Sequence, residues 1–352
     1  MTQLPTKNNL STNLLSACFN NTSATYKFYW FLSILQSIEI GENEISKKAL
    51  FARMISNAWY TVNYFRVSFG KQDKLQRAIE IIKETELLDI DEKRENIFKA
   101  LLESKNENTL SQLYYFNNQV PHWFLSPWFS KTPNEIESQH AKRIYFESCK
   151  FKNQCLYALK EESILINPEW KPYLFENVKV LKDFCFWNLA MFIQTKNPNV
   201  PDIPNKLIKP AVRNSLNNQR TKFWDIVIKE LGSVECIYTK KRLCIGDYAV
   251  EHFIPYSFVS HDLIWNLIPA DKSFNSKKSD KLPTLNKYYN SFFELQKQAV
   301  EIIKIKSPKN KFLEDYLTIL PDIESSFTKV NFKERIDPLI TIASNNGFQF
   351  LT

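Results

Sequence analysis

Three prolines within the eight residues Asn197-Pro-Asn-Val-Pro-Asp-Ile-Pro204 constrain this chain more than any other feature. A proline ring removes a backbone donor and clashes with the preceding helical turn, so no helix can cross that segment, which is the natural connector between two lobes. The hydrophobic pattern differs on its two sides. Before it, apolar residues recur at helical spacing: Tyr26 to Ile38 is densely aromatic and aliphatic, Leu50, Met54 and Ala58 mark a helix from Ile45 to Phe65, and Leu75, Ala78, Ile79 and Ile82 form an amphipathic stripe. Thr132-Pro-Asn-Glu135 has the spacing of a capping box and predicts a helix from about there to Lys150. A further helix is expected from Val178 to Gln194.

After the prolines, Thr221 to Leu231 reads as a helix, and then a β signal appears. Cys236 to Ile245 and Tyr248 to Ile254 are expected to form a hairpin across Gly246-Asp247, with a short further strand at Leu267 to Pro269. The helical pattern returns with Phe292, Leu295, Ala299 and Ile302 on one face. Asp337-Pro338 suits the start of a last helix running to about Ser344. The expected fold class is α+β and mainly helical.

Hydrophobic residues make up 44% of the 352 residues and aromatics 14%, enough for a substantial core. Only five glycines are present and no two lie close together, which excludes a P-loop or a dinucleotide-binding fingerprint. The six cysteines contain no Cys-x-x-Cys pair and are expected to be reduced and buried. No apolar leader and no long apolar run is seen, so a soluble, cytoplasmic protein without a membrane span is expected. The net charge is +8 and unevenly placed: residues 270–312 hold ten lysines against Asp271, Asp280, Glu294 and Glu301. Because that run begins inside the segment described next, it is read as a surface facing a polyanion. Lys206, Lys209, Arg213, Arg220 and Lys222 would extend it.

The chemistry-bearing segment is Tyr248-Ala-Val-Glu-His-Phe-Ile-Pro255, followed by Asn266-Leu-Ile-Pro-Ala270 and Asn275-Ser-Lys-Lys-Ser-Asp280. Cleaving a phosphodiester needs a nucleophilic water, a base to take its proton and positive charge against the leaving oxygen. Glu251 offers a carboxylate and Asn275 a carbonyl oxygen, both suited to a hard divalent ion such as Mg²⁺. Strand alternation points His252 to the other face, where an imidazole can act as general base near neutral pH. His261-Asp262 is read as a pair of loop residues making local hydrogen bonds rather than as acid–base machinery. His122, in an aromatic and proline-rich stretch, is expected in a packed loop, and His140 on an exposed helix face.

The order Glu-His, Asn-Leu-Ile-Pro, Asn-x-Lys-Lys-Ser-Asp resembles the HNH motif, a ββα-metal finger, of CRISPR effector nucleases and of bacterial restriction-type and stand-alone HNH nucleases. The resemblance covers about residues 235 to 285. It implies a metal-dependent endonuclease acting on DNA, with RNA left open, and with a place in bacterial restriction or anti-phage defence. It further implies His252 as general base, Glu251 and Asn275 as ligands of one Mg²⁺ or Mn²⁺, Asn266 as the brace of the inter-strand loop, and Lys278 near the substrate backbone, flanked by Lys277 and Lys281. Two departures stand out. Glu251 is where the family most often has Asp, and Cys236-Ile-Tyr-Thr239 keeps one cysteine of a pair that elsewhere binds zinc, so no structural zinc is expected. Residues 1–200 are then a helical recognition or scaffold lobe, through which a protein partner or a homodimer would form, and 205–352 an HNH nuclease region with C-terminal helices. The competing reading is a nucleic-acid-binding adaptor with a non-catalytic finger.

Overall fold

The computed structural model describes residues 4–7, 9–207 and 214–351. Lys209 and Arg213, counted in the basic cluster, lie outside the described residues. The chain forms two compact units, residues 1–198 with 203–209, and residues 199–202 with 210–352. The architecture is α+β and mainly helical. No helix among the described residues is long and apolar enough to cross a membrane.

In the first unit, helices α1 (Tyr26–Glu39), α2 (Lys47–Asn63), α3 (Lys74–Thr85), α4 (Glu137–Ser148) and α5 (Val178–Lys196) surround a core centred on Trp30, Phe31, Phe51 and Tyr157, all buried. α1 is buried nearly all round, as its continuous run of aromatic and aliphatic residues requires. α3 begins where the carboxylate of Asp73 accepts from the Leu75 N–H and from the Thr25 N–H and hydroxyl, a cap that also ties two segments together. Two features differ from the sequence expectation. A three-stranded antiparallel sheet, β1 (Glu44–Ser46), β2 (Tyr157–Leu159) and β3 (Ser163–Ile166) in the order β1-β3-β2, stands in a region that reads as helical throughout. Its strands are too short to show a period. α4 starts at Glu137 rather than near Thr132, because Asn134 is left-handed (φ 64°) and interrupts the helix. The Glu135 carboxylate still accepts from the Thr132 N–H at 3.0 Å, and Arg143 grips it with two nitrogens at 2.8 and 2.9 Å; together they hold its pKa down at about 2, with Arg143 the larger cause.

His140 is buried rather than exposed, its Nε2 against the Phe129 carbonyl, because α4 turns that face inward. His122 is packed between Trp123 and Tyr145, and burial lowers its pKa to about 4. Lys206 is also buried, which removes it from any polyanion-facing surface. Cys149 and Cys244 are exposed, while Cys18, Cys155, Cys185 and Cys236 are buried.

In the second unit, a five-residue π-helical turn, Arg220–Trp224, leads into α6 (Asp225–Leu231). The two strands of the expected ββα finger pair, but the additional hairpin expected before them does not form. β4 (Val234–Glu235) pairs with β5 (Arg242–Leu243), and β6 (Ala249–His252) pairs with β7 (Leu267–Ala270) across the loop 253–266. No hairpin forms across Gly246-Asp247. That dipeptide lies in a turn closed by the Asp247 N–H on the Cys244 carbonyl, with Gly246 at φ 86°, and the chain leaves it toward β7 instead of back onto β5. Helices α7 (Lys272–Lys278), α8 (Leu285–Lys306) and α9 (Lys329–Asn345) follow. α9 begins well before Asp337: Thr328 caps it by accepting from the Asn331 N–H, so Pro338 sits inside the helix.

Candidate active site

β6, β7 and α7 form the ββα unit that positions the candidate residues. In the antiparallel register Glu251 lies opposite Ile268 and His252 opposite Leu267, at the end of β6 that opens into the 253–266 loop. Both side chains are buried, at 3% and 7% exposure.

The loop is held from three directions. Asn266 is fully buried, and its side chain accepts from the Ile254 N–H and donates to the Ile254 carbonyl, both at 2.8 Å. Such a two-way clamp satisfies both ends of a buried amide and closes the loop against β6. From α8, buried Gln296 donates to the carbonyls of Ile264 (3.2 Å) and Leu267 (2.8 Å) and accepts from the Tyr316 hydroxyl. From the 3-10 helix Lys311–Thr318, Asp315 accepts from the Ile264 N–H at 2.8 Å and Thr318 from the Trp265 indole at 3.1 Å. Phe253 stacks face to face on Phe292 of α8 at 3.8 Å.

This rigid loop carries Asp262 to His252. The imidazole Nε2 lies 2.9 Å from Asp262 Oδ1. An ionised carboxylate can only accept, so the contact makes Nε2 the donor, and a neutral ring so held has its lone pair on Nδ1. The sequence reading of Asp262 as a locally bonded loop residue is thus corrected. Its partner is ten residues back in the chain, and no periodic spacing links a strand end to a loop. The ring of Tyr256 meets the imidazole edge to face at 5.5 Å.

Glu251 is held just as firmly. Its Oε1 accepts from the Lys278 ammonium at 2.6 Å and its Oε2 from the Tyr238 hydroxyl at 3.2 Å. Desolvation and the adjoining Glu251 charge push the Tyr238 hydroxyl well above its ordinary range, so it remains a protonated donor. Lys278 is completely buried and also donates to the His252 carbonyl at 2.8 Å. This corrects the placement of Lys278 along a nucleic-acid backbone: its ammonium neutralises Glu251 inside the protein. The cause is the phase of α7. Asp271 caps that helix, accepting from the Ser273 and Phe274 N–H groups, and Phe274 stacks on Tyr238. The last turn therefore faces β6. Lys277 is exposed and Lys281 partly so.

Asn275 is one helical turn before Lys278 on α7 and partly exposed. Among the described residues no group of three or more His, Cys, Asp or Glu could hold a metal ion. One carboxylate and one amide suit a hard ion that keeps most of its ligands as water, yet Glu251 already carries a counter-charge that such an ion would have to displace. Where a zinc knuckle stands in related fingers, Cys236 and Lys241 close a tight turn through the Cys236 N–H on the Lys241 carbonyl (2.8 Å) and the Lys240 N–H on the Cys236 carbonyl (2.9 Å). Lys241 further pairs with Asp271 at 3.0 Å, which fastens that turn to the start of α7.

Residues 236–284 match the HNH endonuclease family model. This segment is an HNH-family domain. Neither a curated protein nor a solved structure shows significant similarity to the chain. The HNH domain brings with it nuclease activity as its general function, a nucleic acid as the kind of substrate, and the divalent-metal dependence general to such nucleases. It covers β5, β6, β7 and α7, whereas Gln296 and Asp315, which hold its loop, come from outside the matched segment.

Proposed function

We propose that the HNH domain hydrolyses phosphodiester bonds of DNA, with His252 as general base and Asp262 as the residue that positions it. The observation that carries this reading is the 2.9 Å contact between His252 Nε2 and Asp262 on a loop clamped by Asn266 and Gln296. Asp262 holds the ring in one tautomer, Nδ1 takes the proton from an attacking water, and the Asp262 carboxylate steadies the imidazolium that results. Glu251 and Asn275 are the residues that would hold an Mg²⁺ or Mn²⁺ ion, which supplies positive charge against the leaving oxygen. The helical unit would recognise the target or a partner, and a role in restriction or anti-phage defence would follow from DNA cleavage.

The test is incubation of the purified chain with duplex DNA, single-stranded DNA and RNA, with Mg²⁺ or Mn²⁺ and with EDTA. DNA cleavage is expected with either ion, and its loss in EDTA without unfolding, followed by circular dichroism. Metal-independent cleavage, or none on any substrate, would overturn the reading. Asp262→Asn, which keeps the shape and loses the charge, is expected to lower the cleavage rate at saturating substrate by up to ~10⁴-fold, the scale of loss when asparagine replaces the carboxylate behind a histidine general base. Asp262→Glu should recover part of it. Equal rates for Asp262→Asn and wild type would leave Asp262 a loop residue only.

A second reading, a nucleic-acid-binding adaptor, is favoured by one observation: Lys278 neutralises Glu251. The same assay separates the two, because an adaptor binds DNA and leaves it intact under every metal condition.

A further inference from the structure

Outside the matched segment, the second unit has a groove of about 630 Å³ between the π-helical turn and the segment that follows α8. Its polar lining includes Lys222, Lys309 and Lys311 with Asn218, Thr221 and Asn310, and no carboxylate. None of the three lysines has an ion-pair partner among the described residues. Nearby lysines do: Lys306 pairs with Glu230 at 2.9 Å and Lys304 with Glu324 at 2.7 Å. A second groove, between α8 and α9, also contains lysines, but there Glu334 and Asp337 share the lining and Lys333 pairs with Asp337 at 3.0 Å. Charge is thus compensated in one groove and left open in the other.

The open groove is built rather than incidental. Asn310 Nδ2 donates to the Lys222 carbonyl at 2.7 Å, joining the two walls, and Asn310 Oδ1 caps the following turn through the Phe312 N–H at 3.1 Å. One wall is the π-helical turn, a costly form of helix that recurs at functional sites. Behind it, the Arg220 guanidinium lies over the Tyr248 ring at 4.6 Å, and Tyr248 donates to Asp225 at 2.7 Å. The groove also adjoins the candidate active site: Gln219, on its rim, donates to the Asp262 carbonyl at 3.3 Å, and Asp262 holds His252.

We propose that this groove is a second subsite for the nucleic-acid backbone, in which Lys222, Lys309 and Lys311 take phosphates of the strand running on from the scissile bond. The proposal rests on the nuclease reading of His252. Phosphate oxygens are the shared chemistry, and their source is a polynucleotide rather than a free phosphate, because three unpaired ammonium groups spread along an open groove match repeated charges. Asn218, Thr221 and Asn310 supply hydrogen bonds to the same oxygens without reading sequence.

The test is fluorescence anisotropy of a labelled duplex oligonucleotide with the full chain carrying His252→Ala, measured at several salt concentrations. Adding Lys222→Gln, Lys309→Gln and Lys311→Gln should weaken binding to unrelated sequences alike. The slope of log K against log salt should flatten by up to ~0.9 for each phosphate that the variant no longer neutralises. The control removes the same charge elsewhere, through Lys329→Gln, Lys333→Gln and Arg335→Gln, and should leave the slope nearly unchanged. Equal effects of the two sets, or no effect of the first, would overturn the proposal. So would displacement of the oligonucleotide by inorganic phosphate as readily as by unlabelled duplex. The slope is read without cleavage, so the two readings fail separately. A wild-type protein that cuts nothing while the groove variant still flattens the slope overturns the nuclease reading alone. Cleavage with an unchanged slope overturns the subsite alone.

Discussion

Replacing His252 with alanine is expected to lower the rate of DNA cleavage by about 10²–10⁴-fold, the usual cost of losing a general base. The proposed role rests on the surroundings of the imidazole. Nε2 is engaged by Asp262, Tyr256 covers one side of the ring, and strand β6 fixes its backbone. Alanine removes the ring without touching the clamp of Asn266 on Ile254 or the stacking of Phe253 on Phe292, so the loop should keep its shape. The measurement is a single-turnover rate at saturating substrate, so that the chemical step is read apart from binding. Circular dichroism and binding of uncut DNA should match wild type. A rate within a few-fold of wild type would remove His252 from the mechanism.

The second large effect is on stability. Lys278 and Glu251 form an ion pair at 2.6 Å with side chains 0% and 3% exposed. Breaking such a pair from one side leaves the other charge buried without a partner and typically costs about 3–5 kcal/mol. Lys278→Met and Glu251→Ala should each show this in urea denaturation. Glu251→Gln combined with Lys278→Met removes both charges and should be markedly less destabilised than either single variant. Single substitutions that cost less than about 1 kcal/mol would mean that the pair is open to water in solution. The pair also changes how activity data must be taken. A loss of cleavage in Glu251→Ala reports on metal binding only if the fold survives, whereas rescue by raised Mg²⁺ or Mn²⁺ would separate ion affinity from folding. Asn275→Ala, with no buried charge to strand, is the cleaner probe of that affinity.

The helices were largely legible because their signal is local. α1, α2, α3, α5 and α8 appear where apolar residues recur at three and four positions apart. The HNH segment was legible for a different reason, the joint order of Glu251, His252, Asn266 and Asn275 with Pro255 after β6 and Pro269 within β7. The misreadings share one cause. A separate hairpin across Gly246-Asp247 was expected because that dipeptide suits a tight turn, while β6 pairs only with β7, beyond the loop 253–266 that Asn266 braces. The β1–β3–β2 sheet was missed because its strands gain order only from one another. His140 looked exposed beside Lys142 and Arg143, yet the rotation of α4 buries it.

What the chain alone determined is therefore what near neighbours decide: helical faces, the end of α5 at Lys196 ahead of the prolines, the exclusion of glycine-rich nucleotide sites, and an HNH motif with the residue types for its chemistry. What only the tertiary structure decided is which distant group each polar side chain meets. Asp262 reaches His252 because Gln296, Asp315 and Asn266 fix the loop, and Lys278 turns inward because Asp271 and Tyr238 set the phase of α7. A lysine in a sequence is a solvated charge by default. It becomes the counter-ion of a buried carboxylate only when packing removes water from both, and that depends on elements far apart in the chain.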